Sequence, residues 1–169
     1  MSQMTLEQLN TLPEQTAQAT FLTCCSSEAW ARGMTTARPF ANQAAVYETA
    51  DRIWAGLTEQ DYLEAFAGHP KIGDVNSLRA KYAQTKALAA GEQSGVNSAD
   101  EDTLQRLATG NQAYEDKFGF IFIVCATGKS AAEMLSLLEA RLPNARSEEV
   151  INAAEEQRKI TRIRLEKLL

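Results

Sequence analysis

The chain has 169 residues, 44% of them hydrophobic and 23% charged, with a formal charge of -5 and a pI near 5.0. A chain of this length buries most of the surface its unfolded form exposes, so one domain covering residues 1–169 is expected, and the composition argues against a disordered or fibrous protein. The acidic balance argues against nucleic acid as a partner, and no stretch approaches the roughly 18 apolar residues that span a membrane.

Helical signals recur along the chain. Leu6, Leu9 and Leu12 open it with short helical spacing, and Pro13 suits the first turn of a segment reaching about Cys25. From Asn42 the residues Val46, Ala50, Ile53, Trp54 and Leu57 keep one face, and Thr58 with Asp61 starts a new helix through Leu63 and Phe66 to Gly68. Ser98 and Glu101 form a capping-box pattern ahead of Leu104, Leu107, Asn111, Tyr114 and Phe118, a face that ends at Gly119. Ser130 and Glu133 repeat the pattern. Ser147 is placed to cap a last helix carrying Val150, Ala154, Ile160, Ile163 and Leu168.

Two segments break the helical pattern: the glycine-bracketed stretch from Gly91 to Gly95, and the apolar run from Phe120 to Cys125 between Gly119 and Gly128. The run has strand propensity, but no other segment could pair with it, so it is expected to be a buried, extended connection. The architecture predicted is all-α, a single compact helical domain with one short extended apolar segment near 120–126.

Three cysteines, two of them the neighbours Cys24 and Cys25, make neither a disulfide framework nor a metal knuckle and are expected to be reduced, partly buried thiols. His69 is the only histidine, so no metal site is expected. The Gly128-Lys129-Ser130 tripeptide lacks the upstream glycine of a phosphate-binding loop. The first residues lack the pattern of a signal peptide, and Lys167-Leu168-Leu169 is not the peroxisomal Ser-Lys-Leu, so the cytoplasm is the expected compartment.

Four places could carry chemistry. His69 stands between Gly68, which ends a helical pattern, and Pro70, which favours extended backbone before it; its imidazole is the natural acid or base of the chain, or else a surface or capping residue. Glu92 and Gln93 lie between two glycines, either turned toward a ligand or forming a solvated turn. Arg164 shares a helical stripe with Ile160, Ile163 and Leu168, and an inward guanidinium requires a protein carboxylate or an anionic ligand, whereas Arg158 and Arg162 neighbour Glu155 and Glu166 on a solvent face. The run Phe122, Ile123, Val124, Cys125 and Ala126 either fills the core or offers backbone groups to a flat heterocycle.

These pieces occur in the order of one family. Through Arg38-Pro39-Phe40, the His69-Pro70-Lys71-Ile72-Gly73-Asp74 motif, Glu92-Gln93, the Phe118 to Ala126 block and Ile163-Arg164-Leu165, the chain resembles the 2-oxo-4-hydroxy-4-carboxy-5-ureidoimidazoline (OHCU) decarboxylases. The resemblance implies a helical, homodimeric, cofactor-free enzyme that forms (S)-allantoin after urate oxidase and hydroxyisourate hydrolase have acted. It also implies that His69 is the catalytic histidine, Glu92 its acidic partner and Arg164 the carboxylate-handling arginine, with Pro70, Gln93 and the backbone of Phe122 to Ala126 binding substrate. One position departs from the family pattern: Ala89 stands where a serine often supplies a substrate contact. The alternative from another class is a helical binding or scaffold module that keeps the pocket but has lost catalysis.

Overall fold

A computed structural model describes residues 3–70, 75–78 and 97–169. Among these residues the regular structure is helical throughout, with no strand, as the periodicity predicts. In chain order the helices are α1 (Leu6–Thr11), α2 (Glu14–Cys24), α3 (Glu28–Ala37), α4 (Gln43–Ala55) and α5 (Glu59–Ala67), followed by α6 (Asn97–Phe118), α7 (Ala131–Arg141) and α8 (Arg146–Leu168). None of the described helices is long and apolar enough to cross a membrane.

Local chemistry sets most of the boundaries. The Thr58–Asp61 and Ser130–Glu133 capping boxes start α5 and α7, each side chain bonding the other residue's backbone N–H, and the Asn42 side chain accepts from the Ala45 N–H to start α4. Two expected caps are displaced. Helix α6 is already formed at Asn97, so Ser98 lies inside it, and α8 starts at Arg146, so Ser147 sits in its first turn while the Glu149 N–H bonds the Ala145 carbonyl at 3.1 Å. Helix α3 carries a signal that the periodicity search passed over: Ser27 accepts from the Trp30 N–H at 3.2 Å, and Trp30, Ala31, Met34 and Thr35 form its buried face.

The chain divides into two compact units, residues 1–69 with 150–169, and residues 70–149. In the first unit Phe21 meets Trp30 edge to face with ring centroids 6.0 Å apart, and Leu9, Met34, Val46, Phe66 and Leu165 are buried with them. Both tryptophans satisfy their indole N–H in this core, Trp30 on the Ala50 carbonyl at 3.2 Å and Trp54 on the Ala154 carbonyl at 2.9 Å. Arg38-Pro39-Phe40 is a structural clasp: the Arg38 guanidinium donates to the Leu9 and Leu12 carbonyls at the end of α1, and the Asn10 amide brackets the Phe40 backbone.

In the second unit Tyr114, Phe118, Phe120 and Phe122 form one aromatic cluster, with the Tyr114 ring centroid 4.4, 5.9 and 5.2 Å from the other three. Beside it Glu149 is fully buried, and it accepts from the Tyr114 hydroxyl at 2.5 Å, Arg141 Nε at 2.7 Å and Asn144 Nδ2 at 2.8 Å. A buried carboxylate without these donors would carry a large desolvation cost, so the network and the aromatic cluster depend on each other.

Candidate active site

His69 emerges at the end of α5, its backbone N–H still bonded to the Phe66 carbonyl at 3.2 Å. The residue before it has no room for a side chain: a Cβ on Gly68 would lie 2.3 Å from Oγ and 2.4 Å from Cβ of Ser26. This close approach fixes where the chain leaves the helix, and with it the base of the imidazole. The ring is half-buried, and its Nε2 lies 2.5 Å from Oε1 of Gln157 on α8. Burial lowers the His69 pKa from its ordinary 6.5, the Gln157 hydrogen bond pushes the other way, and the positive charge of Arg164 lowers it further. His69 is therefore predominantly neutral at pH 7.

Helix α8 brings Gln157, Thr161 and Arg164 onto one face, because residues four and seven apart overlie one another. Its buried stripe is Val150, Ala153, Ala154, Gln157, Thr161 and Leu165. Ile160 and Ile163 are half-exposed, so the expected stripe is rotated; the polar pair Gln157 and Thr161 takes the inner positions because Gln157 Nε2 bonds Thr161 Oγ1 at 3.0 Å. Arg164 is half-buried at the edge of this face, and its Nη1 reaches the Cys24 carbonyl at only 3.4 Å. Among the described residues no carboxylate lies within ion-pair range of it. Arg158 and Arg162 do pair on the outer face, with Glu155 at 2.6 Å and Glu166 at 3.6 Å.

Cys24 and Cys25 are buried, free thiols in the same unit. Burial pushes Cys25 up to about 11 and raises Cys24 as well, so neither is a thiolate nucleophile at neutral pH.

In the second unit the apolar run is extended and unpaired with any strand among the described residues. Gly119 and Gly128, with φ of 81° and 74°, turn the chain at either end in a conformation that other residues rarely adopt. Ile123 and Cys125 are buried while Phe122, Val124 and Ala126 are half-exposed, the alternation of an extended chain with one face inward. Several of its carbonyls are held by protein: Ile123 by Arg141 Nη1 at 2.7 Å, Cys125 by Lys129 Nζ at 2.7 Å and Ala126 by the Lys129 N–H at 3.0 Å. The Arg141 guanidinium also lies 4.7 Å from the Phe122 ring centroid. Among the described residues no protein acceptor takes the N–H of Ile123 or Val124.

Pro70 is exposed next to His69. Ala89, Glu92 and Gln93 lie outside the described residues. Sequence reasoning missed Gln157 altogether: within Glu155-Glu156-Gln157-Arg158-Lys159 it reads as one more solvated polar residue, and only its four-residue spacing from Thr161, flanked by Ala153, Ala154 and Leu165, marks it as inward.

Comparisons with known proteins agree on one family. The model of the OHCU decarboxylase family matches residues 10–166. A uric acid degradation bifunctional protein of Arabidopsis thaliana is 38% identical over 145 residues, covering 86% of this chain and 45% of the relative. An OHCU decarboxylase of Halalkalicoccus jeotgali is 25% identical, with 99% of this chain and 93% of that protein aligned. A crystal structure of an OHCU decarboxylase in the presence of (S)-allantoin superimposes with a TM-score of 0.70 at 37% identity, covering 93% of this chain and 98% of the other. The chain spans less than half the length of the first bifunctional relatives it matches.

Proposed function

Because the chain belongs to the OHCU decarboxylase family, we propose that it catalyses the cofactor-free decarboxylation of 2-oxo-4-hydroxy-4-carboxy-5-ureidoimidazoline to (S)-allantoin in urate breakdown. The observation that supports this best is the pairing, in one unit, of a neutral imidazole with a guanidinium that has no carboxylate partner among the described residues. A half-buried arginine in that state is set up for an anionic ligand, and the substrate carboxylate supplies the anion as a two-pronged hydrogen-bond acceptor.

The reaction then divides between these groups. Arg164 binds and orients the carboxylate, so that the C–C bond to be broken is aligned with the ring system. Neutral His69 takes the proton of the substrate hydroxyl as that bond breaks and carbon dioxide leaves. The negative charge spreads into the adjacent ring carbonyl and imine, and protonation on one ring face sets the S configuration. By the family resemblance Glu92 is the acidic partner, and Pro70, Gln93 and the backbone of Phe122 to Ala126 contact the heterocycle, while Ala89 lacks the hydroxyl that a serine would offer there. Working as a cytoplasmic homodimer downstream of urate oxidase and hydroxyisourate hydrolase belongs to the same reading.

The direct test is His69→Asn, which keeps a polar side chain of similar reach but has no titratable nitrogen. Turnover is expected to fall by on the order of 10²-fold or more while the helical circular dichroism is unchanged. A variant with wild-type turnover would remove His69 from the chemistry.

A further inference from the structure

A neutral imidazole has one protonated nitrogen and one that accepts, and the neighbours decide which is which. In His69 the Nε2 nitrogen faces Oε1 of Gln157 at 2.5 Å, and Gln157 is itself fully buried. The Gln157 amide is oriented in turn. Its Nε2 donates to Thr161 Oγ1 at 3.0 Å. With the amide nitrogen turned to Thr161, the Gln157 carbonyl oxygen faces the imidazole, and a hydrogen bond between them places the hydrogen on Nε2.

We propose that Gln157 is a positioning residue for the decarboxylation, locking His69 as the Nε2–H tautomer so that Nδ1 presents the lone pair that takes the substrate proton. This rests on the acid–base reading of His69 given above. With Nε2 held by Gln157 and Nδ1 facing substrate, the role of orienting the ring falls to Gln157 on α8. A buried amide suits it, because it fixes the tautomer without a charge that would hold the imidazole protonated. Among the described residues the charged group acting on the ring is Arg164, and burial keeps the Cys24 and Cys25 thiols protonated.

His69 is the only histidine of the chain, so nitrogen-15 NMR of untagged, histidine-labelled protein reads its ring without ambiguity. Above the ring pKa the wild type is expected to show a protonated Nε2 and an unprotonated Nδ1. Gln157→Met is expected to give a mixture of tautomers and to lower kcat by on the order of a hundredfold, with KM within about threefold. Gln157→Glu keeps an acceptor for Nε2–H; it is expected to recover part of kcat and to move the acid limb of the pH profile upward. A wild-type ring in the Nδ1–H form, or full kcat in Gln157→Met, overturns the proposal. If Gln157→Met does not fold, the wild-type tautomer and the direction of the Gln157→Glu shift decide the matter. Wild-type turnover in His69→Asn would instead defeat the underlying reading and the positioning role with it, a failure told apart by a wild-type ring that is still Nε2–H.

Discussion

On the proposed mechanism His69 takes a proton at neutral pH, and half-burial, with the charge of Arg164, favours the unprotonated ring that this requires. The same shift couples to stability. The folded state holds the ring pKa below 6.5, so it binds the proton less readily than the unfolded chain; the stabilisation is complete above pH 6.5 and is lost as pH falls through that value toward the folded pKa. Thermal unfolding of the wild type between pH 7.5 and 5 should therefore lose ground to His69→Asn, which lacks this linkage, and parallel curves would contradict the shift. Arg164→Lys replaces a planar fork by a point charge, and KM is expected to rise by about tenfold or more with a smaller change in kcat, as steady-state rates will show. At this scale much was legible. A sole histidine between Gly68 and Pro70 stands out in any sequence, and Arg164 was marked by the closing motif, although its reasoned neighbours Ile160 and Ile163 turned out half-exposed. Gln157 was not legible, because the burial of an amide is decided by partners 4 and 88 residues away.

At the scale of elements, the extended run is held by side chains rather than by a strand partner. Arg141 links α7 to that run and to the first turn of α8, donating to the Ile123 carbonyl and to the buried Glu149 while lying against Phe122. Arg141→Met would take the Arg141 guanidinium away from the buried Glu149 carboxylate and the Ile123 carbonyl, and a loss of about 3–5 kcal/mol in urea unfolding is expected. A loss below about 1 kcal/mol would mean that the network is solvated. Gly68→Ala pushes a methyl group into Ser26 at the base of His69, so it should lower both the unfolding midpoint and kcat; unchanged kinetics would show that the helix exit does not set the ring position. Capping chemistry made α4, α5 and α7 readable, since an Asn, Thr or Ser side chain at those starts has one obvious backbone partner. It misplaced the starts of α6 and α8, where the helix is already running at the residue before the serine. Helix α3 was passed over although Ser27 and the buried face from Trp30 to Thr35 carry the signal. The buried Glu149 was unreadable for the same reason as Gln157: its donors Tyr114 and Arg141 come from other helices.

For the whole molecule, the all-α class and the family follow from ordered motifs spread across the chain, and the family match over residues 10–166 spans both compact units. The activity carries the strongest claim. Generating the unstable substrate in place from urate, with urate oxidase and hydroxyisourate hydrolase, and following circular dichroism near the absorption of allantoin with and without this protein tests it most directly. Rapid appearance of optically active (S)-allantoin only in the presence of the protein is the predicted result. Slow, racemic product at the same rate with and without it would contradict the decarboxylase reading and leave a helical binding module in its place.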